Sequence, residues 1–320
     1  MRRQQLAITK LVTISRCHFA AVVLLLVSLA AGTSNAAAPP PTVENIAYGP
    51  HERNKLDLWQ APSKSPTPLL IFIHGGGFVI GDKSNCRSMP VIAQCLDAGV
   101  SFASINYRFR KQAPLQDILR DAARAVQYIR SRAKEFNIDP DRIAAFGSSA
   151  GAGASIWLAF HDDLADPNAS DPVLRESSRL SAAGSFEGQA SYDLREWDKI
   201  LGPSKFGQPT EELFAVYGFS NAAAAETPEA DRIMKDCSML SLITRDDPPV
   251  VLACGNSGGD FKDLAHYMHH PKHSEVLADR CKENGVECKL MLSQINIFSV
   301  GKRDAEAVAF LIEKLKAPAH

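Results

Sequence analysis

The chain carries almost no net charge. Its 320 residues hold 35 lysines and arginines against 36 aspartates and glutamates, a formal balance of −1. That removes the global electrostatic case for nucleic acid or an anionic membrane surface as partner. No charge run or repeat suggests an array. The apolar stretch Phe19 to Ala31 is too short for a comfortable membrane span, which needs about 20 residues. Beyond His273 there is no histidine except the terminal His320, an absence that becomes important once the motifs are read.

What is present suits an ordinary globular domain, with 45% hydrophobic and 22% charged residues. The N-terminus stands apart from it. Arg2, Arg3, Lys10 and Arg16 precede the apolar stretch, and Ser34-Asn35-Ala36-Ala37-Ala38 follows it, then prolines. A basic region, a short apolar core and small residues at an A-x-A-like site form a secretory signal, here residues 1–38, cut after Ala36 or Ala38. The alternative is an uncleaved N-terminal anchor. Cleavage removes Cys17 and leaves Cys86, Cys95, Cys237, Cys254, Cys281 and Cys288. An exported chain permits disulfides, and Cys281 and Cys288, flanking a helix-to-strand turn, are a candidate pair. A domain of this size does not require them. Asn168-Ala169-Ser170 fits a glycosylation sequon, relevant in a host that glycosylates exported proteins.

Residues 39–320 then read as one domain. Thr42–Tyr48 and Lys55–Gln60 are two short strands around a polar turn. Leu69 to Ile73 is a continuous apolar run, the mark of a strand covered on both faces. A helix near Met89–Leu96 and a strand from Val100 to Tyr107 follow. Leu115, Ile118, Ala122, Val126, Ile129, Ala133 and Phe136 recur at three- and four-residue spacing, which predicts an amphipathic helix stopped by Asn137-Ile138-Asp139-Pro140. Ile143 to Phe146 is a strand, and Gly151 to Phe160 a small, apolar, buried helix. Residues 162–247 are less regular and read in part as a cap-like excursion. Strand character returns at Pro249–Cys254 and Glu287–Leu292, with helices at Ser274–Asn284 and Asp304–Leu315. Alternating strands and helices imply a mostly parallel sheet with helices on both faces.

Two motifs carry chemistry. Gly147-Ser148-Ser149-Ala150-Gly151 has the Gly-x-Ser-x-Gly form of a nucleophile elbow, and His74-Gly75-Gly76-Gly77-Phe78 that of an oxyanion-hole loop. A serine hydroxyl is a poor nucleophile at neutral pH and needs a base and an anion trap. Ser149 at a helix N-terminus, with the N–H groups of Ala150, Gly75 and Gly76, would supply nucleophile and trap. His74 is expected to orient the loop rather than to transfer protons. The alternative is a small-residue turn packed between strand and helix.

On these motifs the chain resembles the α/β-hydrolase superfamily, and within it the hormone-sensitive-lipase-like and feruloyl-esterase-like carboxylesterases that carry His-Gly-Gly-Gly. The resemblance runs from about Thr42 to Leu315. It implies an acid after the penultimate strand and a histidine after the last. Here the acid position falls on Gly258, with Asp260 two residues on, and the histidine position falls on Asn296. The loop after the acid strand carries His266, His269, His270 and His273 around Pro271, and a base from there could reach Ser149, since a triad is defined by geometry and not by chain order. His270 is the expected base, His269 the alternative, and Asp260 the expected acid. A solvated loop, a helix cap or an adventitious metal patch are the plain readings of the same histidines. His161 is expected to be a structural partner of Asp162 or Asp163.

Two functions remain open at this level. One is an exported (secreted or periplasmic) serine hydrolase acting on small-molecule carboxylic esters through an acyl-enzyme at Ser149. It would use no cofactor or metal and make no stable membrane insertion after signal cleavage. The other is a degenerate α/β-hydrolase that keeps the pocket to bind a ligand or to turn over very slowly.

Overall fold

The computed structural model describes residues 38–203, 214–293 and 300–317. The N-terminal leader and Asn296 lie outside the described residues.

Eight strands form one sheet in the order β1-β2-β4-β3-β5-β6-β7-β8. They are β1 (Val43–Ala47), β2 (Lys55–Trp59), β3 (Thr67–Ile73), β4 (Ser101–Ile105), β5 (Ile138–Ser148), β6 (Ala182–Phe186), β7 (Val250–Cys254) and β8 (Cys288–Leu292). β2 pairs antiparallel with both β1 and β4. From β4 to β8 every pairing is parallel. β3 is buried at all seven positions, as its unbroken apolar run predicts for a strand covered on both faces.

The covering helices divide between the faces. α1 (Val91–Asp97) and the final helix Val300–Lys316 lie on one side, with Phe72, Phe146, Val251 and Leu311 in their core. On the other lie α2 (Leu115–Ser131), α3 (Ala150–Phe160) and the helix Lys272–Asn284, around Ile71, Ala145, Trp157 and Leu277. α2 stops at Ser131, one turn before the periodic pattern ends, and Pro140 lies within the extended run of β5. α3 is buried along its whole length, so it is apolar all round rather than striped.

One strand lies where the sequence reads as excursion. β6 occupies residues 182–186 and sits in the middle of the sheet between β5 and β7. Its Ala-Ala-Gly-Ser-Phe has no β-branched residue to announce a strand. Crowding explains the small side chains: a Cβ on Gly184 would stand 3.0 Å from Leu311 and 3.1 Å from Phe146.

The candidate Cys281–Cys288 pair is not bonded. All cysteines among the described residues are free.

His161 ends α3. Its Nδ1 faces the Asp162 carbonyl at 2.8 Å and its Nε2 faces Asp236 Oδ1 at 3.0 Å, so Asp236, and not the Asp162 or Asp163 side chain, is the acidic partner. Burial opposes the imidazolium, but the bonds to Asp236 and the Asp162 carbonyl outweigh it and raise the His161 pKa. The same bond lowers that of Asp236, with Arg120 adding a weaker contribution. A histidine raised in the folded state contributes stability below its unfolded value of about 6.5 and loses it as pH rises through the folded value. Wild-type protein should therefore lose on the order of 1 kcal/mol, relative to Asp236→Asn, between about pH 5.5 and about pH 8.5. Urea denaturation at both values measures it; parallel curves for the two proteins would remove the pair from the stability balance.

Candidate active site

β5 delivers Ser149 into the turn before α3. The residue has φ 51°, a left-handed conformation that a side chain adopts only under constraint from its surroundings. The constraint comes from two glycines. A Cβ on Gly147 would lie 2.3 Å from the Gly151 backbone, and one on Gly151 would lie 2.0 Å from the Ile73 carbonyl oxygen. Only glycine permits this approach of β5, α3 and β3. The Ser149 N–H donates to the Phe186 carbonyl at 2.9 Å, which ties the turn to the end of β6.

After β3 the triple-glycine loop bends back over the elbow. Gly76 and Gly77 have φ of 111° and 61°, and the Gly76 carbonyl accepts from the N–H groups of Val79 and Ile80. His74 is fully buried and stacks on Tyr107, with its Nδ1 donating to the Gly75 carbonyl at 2.8 Å. Burial pushes its pKa down to about 4, so the ring is neutral and braces the loop. Of the expected donors, Ala150 lines the pocket beside Ser149. The loop contributes Gly77 and Phe78 to the wall, in place of Gly75 and Gly76. Gly75 is instead packed against Ser148, where a Cβ would lie 2.7 Å from the carbonyl oxygen.

The histidine cluster resolves into one ring facing the serine and three facing the main chain. His269 Nε2 lies 2.8 Å from Ser149 Oγ, and its Nδ1 lies 2.8 Å from the Ala265 carbonyl oxygen. A carbonyl only accepts, so Nδ1 carries a proton, and in that tautomer Nε2 is the acceptor for the Ser149 hydroxyl. His270, the expected base, is turned away: Nε2 donates to the Gly259 carbonyl at 3.1 Å and Nδ1 accepts the Lys272 N–H at 3.2 Å. Burial lowers its pKa, and the ring serves as a cap at the entrance to the helix Lys272–Asn284. His266 bridges Ser257 and Lys262, and His273 accepts from the Ala190 N–H. Asp260 is exposed on its loop, and the ring nitrogen it was expected to orient is occupied by the Ala265 carbonyl. Among the described residues no group of three or more His, Cys, Asp or Glu could hold a metal ion.

Ser149 opens into a pocket of about 260 Å³. Phe78, Leu115, Tyr192, Leu194, Trp197 and Val216 make its wall largely apolar, and the last four come from the stretch read as an excursion over the site. Among the described residues Arg110 is the only arginine or lysine that lines it, and no carboxylate does.

A probable isoprenylcysteine alpha-carbonyl methylesterase of Arabidopsis thaliana is 30% identical over 145 residues, covering 45% of this chain and 30% of its own length. A probable carboxylic ester hydrolase, LipM of Mycobacterium tuberculosis, is 31% identical over 163 residues, covering 50% of this chain and 37% of its own. The chain thus spans about a third of the length of the curated relatives it matches. Among solved structures, a truncated carbohydrate esterase from gut microbiota superposes with a TM-score of 0.67 at 19% identity, over 86% of this chain and 96% of that one. That likeness shows the α/β-hydrolase fold. The BD-FAE family model matches residues 56–259, a span from β2 to the loop after β7 that includes both the glycine loop and the elbow. The chain belongs to the BD-FAE family and has the α/β-hydrolase fold.

Proposed function

We propose that this protein is a serine hydrolase of carboxylic esters that works through an acyl-enzyme at Ser149. The observation that carries the reading is the 2.8 Å contact between Ser149 Oγ and His269 Nε2 at the floor of the pocket. His269 takes the hydroxyl proton as Oγ attacks the ester carbonyl, then returns it to the departing alcohol. Ala150 and the glycine loop hold the oxyanion at the N-terminus of α3, where unpaired N–H groups favour negative charge. Water then repeats the sequence on the acyl-enzyme.

The Ala265 carbonyl does one part of a triad acid's work, since it fixes the tautomer in which Nε2 accepts. A base within reach of the serine favours catalysis over the degenerate reading. The relatives named as ester hydrolases favour it too. The small apolar pocket suits short acyl groups. Export through the N-terminal leader belongs to the same proposal, on its basic and apolar pattern.

A fluorophosphonate probe tests the reading directly. Purified protein should hydrolyse short-chain nitrophenyl esters, lose that activity on treatment, and yield a single adduct on the Ser149 peptide by mass spectrometry. Activity that persists with Ser149 unlabelled would overturn it.

A further inference from the structure

The end of β6 holds both members of the pair. Phe186 accepts the Ser149 N–H through its carbonyl, and the next residue, Glu187, reaches toward the main chain of His269. Glu187 Oε1 accepts from the Gly255 N–H at 2.7 Å, and Oε2 accepts from Asn256 Nδ2, also at 2.7 Å. The same Asn256 amide donates to the His269 carbonyl at 3.0 Å. Arg303, almost fully buried, places Nη2 3.2 Å from Oε1. Glu187 has φ 59°, the left-handed region that favours glycine, so the local backbone is constrained in order to present this side chain.

His269 needs such a tether. Its ring is braced by Ala265, which belongs to the five-residue helix Leu264–Met268 that His269 caps at its C-terminus. That bond fixes the ring relative to the helix but does not fix the helix relative to Ser149. The path from Glu187 through Asn256 to the His269 carbonyl does. Gln189 adds a second tie, donating to the Met268 carbonyl at 2.9 Å.

We propose that Glu187 is a positioning residue for His269, acting through Asn256, so that one strand end sets the distance between nucleophile and base. The inference rests on the serine-hydrolase reading above. Its chemistry demands a carboxylate. Gly255 N–H, Asn256 Nδ2 and Arg303 Nη2 are all donors, and a glutamine would turn its own amide N–H groups against at least one of them. Arg303 is shared with Asp304, at 2.7 Å, and the bonds of Glu187 go to the main chain and amide beside His269 rather than to its ring, so the effect on the base is one of place rather than of field.

The test compares Glu187→Gln, Asn256→Ala and the double variant in steady-state hydrolysis of a short-chain nitrophenyl ester. A small misplacement of a base lowers the chemical step by on the order of 10²-fold, so each single variant should lose kcat on that scale with KM little changed. The double variant should be little worse than the weaker single, because both cut the Asn256 path and leave only the longer contacts of the Cys254 thiol, 3.3 Å from Glu187 Oε2 and 3.5 Å from the His269 carbonyl. The acid limb of the kcat/KM profile should stay in place. A downward move of about one pH unit would mean that Glu187 acts by charge, and would overturn positioning. Wild-type kcat in Asn256→Ala would overturn it as well, and that variant decides alone where Glu187→Gln does not fold. Fluorophosphonate labelling separates the two readings. A wild type that does not label loses both. A wild type that labels, beside an Asn256→Ala protein that labels at the same rate, loses only the positioning role.

Discussion

Replacing Ser149 with alanine is expected to lower kcat for a short-chain ester by at least about four orders of magnitude and to abolish fluorophosphonate labelling. The size follows from the division of labour at the elbow. In the proposed mechanism the serine supplies the only covalent step, and without it the pocket and oxyanion donors could only assist attack by water. Stability should change little. Alanine keeps the Cβ that already tolerates φ 51°, and the N–H bond to Phe186 belongs to the backbone. Thermal melting within a few degrees of wild type would show that the loss is chemical. Retained turnover in a purified, folded alanine variant would remove Ser149 from the mechanism.

The second large effect separates two neighbouring histidines. His269→Ala should lower kcat by about three orders of magnitude or more, because no other imidazole among the described histidines faces the serine. His270→Ala should keep kcat within about tenfold of wild type and lower stability by about 1–3 kcal/mol, since it leaves the Gly259 carbonyl and the Lys272 N–H without their partner. Paired kinetics and denaturant melts of the two variants read the contrast. The reverse pattern, with His270 needed for kcat and His269 dispensable, would sink the assignment of the base.

The contrast also marks the limit of the sequence. The strands that lead into the motifs are legible because unbroken apolar runs, Leu69–Ile73 and Ile143–Phe146, end at them, and both glycine motifs are legible because close backbone approach leaves no other residue type. β6 is not: its composition answers to the crowding around Gly184, which only the assembled sheet reveals. The choice between His269 and His270 is likewise closed to sequence, since adjacent residues point apart and the helix that ends at Met268 decides which one faces Ser149. Asp260 is a natural candidate by type and place, yet the ring it would serve finds its partner one helical turn back. Glu187 gives no motif; its signal is a carboxylate after a strand that sequence does not announce.

The partner of that ring has a genetic consequence. A peptide carbonyl is present whatever residue stands at position 265, so ordinary side-chain substitution there does not delete it. Alanine scanning would identify a nucleophile, a base and the side chains that place them, and would miss the group in contact with Nδ1. Nor can a carbonyl gain or lose a proton between pH 4 and pH 9, as a carboxylate can at the acid end. The contact that sets the tautomer of His269 is thereby written into the main chain at position 265, outside the reach of titration and of any codon change at that position.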